Sequence, residues 1–205
     1  DLKQYRANLR AIRNHLPPRC ELIIVLKSDA YGHGTLELAK AARQEGLLGR
    51  IGIATNEEAR WLRDAGFDNP IVKLVPSLPD EFEDSVALGI EEIVSDRGTA
   101  ERLAAMGKKM NRPVRIHIGL DTGMGRKGFL DSSDLAAILE TANVPGLGVI
   151  GMMTHFPSAD DADKSFTLKQ IESFSRVRDE LNRKGLHLRL CHVANSAALL
   201  DLPES

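Results

Sequence analysis

The chain has 205 residues, with 27 Lys and Arg against 29 Asp and Glu, for a formal net charge of −2. Hydrophobic residues make up 42% and charged residues 27%, near the globular norm, which excludes a disordered, collagen-like or highly charged chain. A near-neutral balance also speaks against nucleic-acid binding, which needs a basic face, and no apolar run approaches the roughly 18 residues of a membrane helix.

Cys20 and Cys191 are too few for a disulfide framework and point to a reduced, cytoplasmic setting. The chain opens at Asp1-Leu2-Lys3 in helical pattern, with no signal peptide and no initiator Met, and reads as clipped from a longer protein. Leu2, Tyr5, Leu9, Ile12 and Leu16 step along one helix face, which Pro17-Pro18 ends. Residues 21–26 form an apolar, β-branched run and hence a buried strand; 35–45 read as a helix stopped by Gly46, and 50–54 as a strand. Thr55 and Glu58 make a capping box that opens the next helix, and Gly66 closes it. Strand 71–75, helix 80–88, strand 92–94, helix 98–106 and strand 114–118 follow, then helix 133–141 and strand 147–153. The longest helix, 163–183, puts Ile171, Phe174, Val177 and Leu181 on one face; strand 187–192 and a helix start at Asn195 finish the chain. Seven strands alternating with helices imply βαβ units and a parallel sheet. Their lengths fit a (β/α)8 TIM barrel that stops short of its eighth strand, with a doubly wound open sheet as the competitor.

In parallel α/β folds the working residues lie at the carboxyl ends of strands. Polar residues and glycines gather at those ends here: Lys27-Ser28-Asp29-Ala30-Tyr31-Gly32-His33-Gly34, Asp121-Thr122-Gly123-Met124-Gly125-Arg126, Thr154-His155-Phe156 and His192-Val193-Ala194-Asn195-Ser196. Lys27, at the mouth of an apolar strand, is either a partly desolvated amine suited to nucleophilic or Schiff-base chemistry or a lysine that snorkels to solvent. Asn195 and Ser196 at a helix start form either a phosphate cradle or a plain N-cap. Arg126 sits in a loop with Gly123, Gly125 and Gly128 and could be a salt-bridged structural residue; His155 could be a satisfied core histidine. Gly32-His33-Gly34 lacks the third glycine of a dinucleotide fingerprint, because Glu37 stands there, and Lys27 lacks the glycines of a P-loop. No metal site is expected: His187 and His192, five apart in a strand, face opposite sides, and the acidic run at 160–163 lacks calcium-loop spacing.

Together these segments resemble alanine racemase, the fold-type III family dependent on pyridoxal phosphate. Residues 25–34 look like that family's cofactor-lysine signature; 121–126, 153–156 and 194–197 match three more, in the family's order and across the whole chain. The resemblance implies that Lys27 holds the cofactor as an imine and acts as one of two bases. It implies that Tyr31, Asn195 and Ser196 serve the phosphate, that Arg126 meets the cofactor's phenolic oxygen and the substrate, that His155 belongs to the hydrogen-bond network below the pyridine ring, and that Met124 lines the substrate pocket.

Two departures stand out. The family carries a lysine two residues before the Asp-Thr-Gly motif, and here that position is Gly119. The family's second base is a tyrosine from a C-terminal β-domain of the partner subunit, and its pyridine-nitrogen arginine lies on the last barrel strand; both would fall beyond Ser205. The expectation is therefore that residues 1–205 are the incomplete, cofactor-binding barrel of a homodimeric, cytoplasmic enzyme that interconverts L- and D-alanine for peptidoglycan synthesis. On its own this portion would be weak or inactive. The alternatives are a broad-specificity or serine racemase, a non-catalytic pyridoxal-phosphate-binding protein, and a phosphate-binding barrel without the imine.

Overall fold

The structure, a computed structural model, describes residues 1–130, 132–202 and 205. The chain divides into two compact units, Asp1–Glu92 and Ile93–Ser205, with the boundary inside a strand.

In the first unit the strands β1 (Ile23–Val25), β2 (Arg50–Ile53), β3 (Ile71–Lys73) and β4 (Ile90–Val94) pair in parallel and in chain order. The helices Leu2–His15, Thr35–Gln44, Asn56–Asp64 and Phe82–Leu88 alternate with them. Period-2 alternation sends Ile24, Ile51, Ile53, Ile71 and Ile90 to one face. There they pack with Leu9, Ala39, Ala42, Ala59, Leu62 and Phe67 in one apolar cluster. On the other face Gly52 is tightly packed: a Cβ would lie 3.0 Å from Leu74 Cδ1 and 3.3 Å from the side chains of Ile23 and Val25, which would have to give by a few tenths of an ångström. The capping box is complete, with Thr55 and Glu58 bonded in both directions, and Gly66 adopts φ 74° just past the helix end. The strands are shorter than their apolar runs, which mark burial rather than ladder bonds. β4, by contrast, begins earlier than expected, because Glu91 and Glu92 on it are buried by polar partners. Helix 80–88 starts as a 3-10 turn at Pro79–Glu81.

In the second unit β5 (Val114–Asp121), β7 (Leu147–Met153) and β8 (Leu190–His192) run parallel in that order. A two-residue strand, β6 (Phe129–Leu130), pairs with the end of β5 and is too short for any periodicity to reveal. Gly128 makes this approach possible: it has φ 153°, and a Cβ would come within 2.2 Å of the Asp121 amide nitrogen. Helix Arg97–Met110 runs one turn longer than expected, capped by Asp96 and closed by Asn111 at φ 50°. In helix Ser165–Arg183, Phe174, Val177 and Leu181 are buried as the periodicity requires. His187 precedes β8 rather than lying in it.

Neither unit reverses its strand order, which a doubly wound sheet does at its switch point. Sequential parallel pairing is the winding of a (β/α) barrel. Among the described residues no helix is long and apolar enough to cross a membrane.

Candidate functional site

In the first unit the chain leaves β1 at Lys27 and turns with the opposite hand. Ser28, Asp29, Ala30 and Tyr31 have φ of 54°, 49°, 54° and 57° with ψ between 36° and 50°, a full turn of left-handed helix built from L-residues other than glycine. Each such residue costs roughly 1–2 kcal/mol, so the surroundings must hold the turn. The Ala30 N–H donates to Leu26 O (2.9 Å), the Thr35 hydroxyl donates to the same carbonyl (3.0 Å), and the Thr35 N–H donates to Asp29 Oδ1 (2.8 Å). The Ser28 N–H donates to Glu58 Oε1 at 2.6 Å. Lys27 is half-buried, and its Nζ lies 5.8 Å from the centroid of the Tyr31 ring, within cation–π range. Tyr31 is 62% exposed, with its hydroxyl available to a ligand.

In the second unit the loop after β5 wraps around a carboxylate. Asp121 Oδ1 accepts from the amides of Gly123 (2.9 Å) and Gly125 (3.1 Å), and Oδ2 from that of Arg126 (2.7 Å). Burial alone would raise the Asp121 carboxyl, but these amides and that of Met124 outweigh it and hold its pKa below the ordinary value. Arg126 is thus fixed through its backbone, while its guanidinium is exposed and makes no ion pair among the described residues. Met124, in the same loop, is half-buried.

The Thr122 hydroxyl lies 2.9 Å from that of Thr154, at the end of β7. Gln170 Nε2 donates to the Thr122 hydroxyl (3.2 Å) and to the carbonyl of His155 (3.3 Å). These contacts lock the loop of Arg126 to the half-buried His155. Asn195 caps the helix Ser196–Asp201 by accepting from Ala198 N–H (3.0 Å) and donates to Phe156 O (2.9 Å). Its side chain is therefore occupied on both sides. What the cap leaves over are the first-turn amides of Ser196 and Ala197 and the Ser196 hydroxyl, on an exposed residue. At Gly119 a Cβ would lie 2.9 Å from Ile93 Cγ2: the space beside this backbone is filled by an isoleucine.

The first unit thus brings Lys27 and Tyr31 together. The second gathers Met124, Arg126 and His155 on neighbouring loops, with Asn195 and Ser196 tied to them through Phe156. Sequence reasoning passed over Gln170 and the carboxylate-centred geometry at Asp121. It also read Glu58 only as a helix cap. For Gln170 a signal exists: it is a polar residue on the buried side of an amphipathic helix, 1% exposed.

Comparison with known proteins bears on these loops as a set. The family model described as alanine racemase, N-terminal domain, matches residues 1–205. The alanine racemase of Clostridium tetani is 38% identical over 205 residues, covering 100% of this chain and 52% of that protein. That of Clostridium perfringens is 37% identical over 206 residues, covering 100% and 53%. The solved structure of alanine racemase from Clostridium difficile superimposes with a TM-score of 0.94 at 32% identity, covering 98% of this chain and 53% of that one; a second structure of it, in complex with cycloserine, gives 0.92. The chain spans about half the length of these relatives. With the family model matched from end to end, the chain belongs to the alanine racemase family, as its N-terminal domain.

Proposed function

We propose that the protein to which this chain belongs interconverts L- and D-alanine with pyridoxal phosphate. The observation that carries this reading is Lys27, a half-buried amine at the carboxyl end of β1 on a left-handed turn, in a chain matched along its length by alanine racemases. The complex of a relative with cycloserine, a compact amino-acid-like ligand, agrees with a small substrate.

The donor set fits the cofactor. Lys27 offers a primary amine for its carbonyl. The open hydroxyls of Tyr31 and Ser196 and the first-turn amides at Ser196 suit a phosphate. The guanidinium of Arg126, without an ion pair among the described residues, suits a phenolate oxygen or a substrate carboxylate. Pyridoxal phosphate, when bound, supplies an electron sink that stabilises negative charge at the substrate α-carbon. The remaining work falls to the chain. Lys27 would hold the cofactor through its amine and would take or return a substrate proton at Nζ on one face. Arg126 orients, with its backbone held by Asp121. Met124 would line the substrate's side of the site, and His155 would join the hydrogen bonds that hold the cofactor. Asn195 serves the phosphate by setting the helix start. The base for the other face and the partner of the pyridine nitrogen would come from chain beyond Ser205 and from a second subunit, in a cytoplasmic homodimer that supplies D-alanine for the cell wall.

The decisive experiment adds pyridoxal phosphate, reduces with borohydride and maps the labelled peptide. Label on Lys27, abolished in Lys27→Ala, is expected. Label on another residue, or none on folded wild-type protein, overturns the assignment.

A further inference from the structure

Glu58 does more than cap a helix. In a capping box the glutamate reaches back to the N-cap amide with one oxygen. Here Oε2 does so, accepting from Thr55 N–H (3.2 Å) and Ala54 N–H (2.7 Å). Oε1 turns the other way and accepts from Ser28 N–H at 2.6 Å, thirty residues back along the chain. The side chain is 5% exposed, and no Lys or Arg pairs with it among the described residues. Its charge is met by three backbone N–H groups and by its place in the first turn of the Asn56–Asp64 helix, where a negative charge is favourable. Ser28 is the first residue of the left-handed turn and the one next to Lys27.

We propose that Glu58 is a positioning residue for Lys27. Its carboxylate fixes the point at which the chain changes hand, and so the direction in which the Lys27 side chain leaves β1. This rests on the reading that Lys27 holds the cofactor. The geometry calls for a carboxylate in particular. Both oxygens face N–H donors, so a glutamine turns its NH2 either toward Ser28, breaking one tie, or toward Thr55 and Ala54, breaking two.

The test uses the whole enzyme and two readouts: amide hydrogen exchange over residues 28–33, and the dissociation constant for pyridoxal phosphate followed by absorbance. Glu58→Gln is expected to speed exchange in the turn and to weaken cofactor binding, each by about tenfold or more, the worth of one hydrogen bond to a charged group. Thr55→Ala removes the other half of the capping box and leaves the Ser28 tie intact; both readouts should stay within about twofold of wild type despite a lowered melting temperature. If Glu58→Gln does not fold, Glu58→Asp, which keeps the charge and withdraws the oxygens by one methylene, is measured instead with the same expectation. Wild-type values for the Glu58 variant overturn the proposal. So does a Thr55→Ala protein that reproduces both changes, since the role would then be one of general stability. Borohydride label away from Lys27 in wild type would sink the functional reading instead, and exchange in the turn would then decide on Glu58 alone.

Discussion

Glu92 is 1% exposed, in the middle of β4, where its carboxylate accepts from the hydroxyls of Ser77 (2.6 Å) and Ser85. Burial pushes its carboxyl up, and the two serines and the ammonium of Lys73 pull it back without cancelling that effect. A carboxyl raised in the folded state binds its proton more tightly there than in the unfolded chain. Its contribution is therefore full below the ordinary carboxylate pKa and is lost as pH rises through the raised value. Glu92→Gln keeps the shape and cannot ionise. The wild-type urea midpoint should fall as pH rises above the ordinary carboxylate range, and the variant's should fall less; parallel profiles would remove Glu92 as the source. Gly119 is a second case of a residue read through its neighbour. The family pattern calls for lysine there, and the methyl of Ile93 stands 2.9 Å from where its Cβ would begin. The departure at one position is thus matched by bulk at another, which the sequence alone could not pair because the two are 26 positions apart.

At the level of elements, the difference between what was legible and what was not follows the range of the interactions. The helix from Asn56 to Asp64 announces itself in Thr55, Glu58 and Gly66, all within one stretch of chain. The turn after Lys27 does not. Ser, Asp, Ala and Tyr have no collective preference for positive φ, and what holds them there comes from Glu58, Thr35 and Leu26. The loop after β5 lies between these extremes. Its glycines were visible, but the carboxylate they surround was not recognisable as its centre. Asp121→Asn would place an N–H group against one of these backbone N–H donors. The variant should lose about 1 kcal/mol of stability and exchange the amides of residues 123–126 faster, with the rest of the unit unchanged. Because the Asp121 pKa is lowered on folding, its contribution is complete above the ordinary carboxyl pKa and disappears as pH falls through the lowered one. Wild-type exchange in this loop should approach that of the variant in acid. Equal rates at neutral pH would show that the carboxylate does not hold the loop.

At the scale of the molecule, each compact unit carries residues proposed to serve the cofactor: Lys27 and Tyr31 in the first, Met124, Arg126, His155, Asn195 and Ser196 in the second. A ligand that binds only the folded form stabilises whatever it touches, by an amount set by its concentration over its dissociation constant. Saturating pyridoxal phosphate is therefore expected to slow amide exchange in residues 27–34, 121–126 and 196–198 together. Protection confined to one unit would mean that the residues of the other serve something else. The barrel winding was readable because each strand and helix is a local pattern repeated in order. Nothing in that repetition states which side chain stands on which loop. That information rests in the four signatures, whose meaning in the sequence came from resemblance alone.

The turn that follows Lys27 has one more consequence. Its backbone is the mirror image of an ordinary helical turn, so it is the conformation that residues of D chirality prefer. At Ser28, whose side chain is exposed, a semisynthetic D-serine would sit in its own favoured region, where the natural residue is held by its neighbours. The main chain beyond Lys27 thus inverts its handedness, a strain that substitution among the genetically encoded residues relaxes most through glycine and less through asparagine.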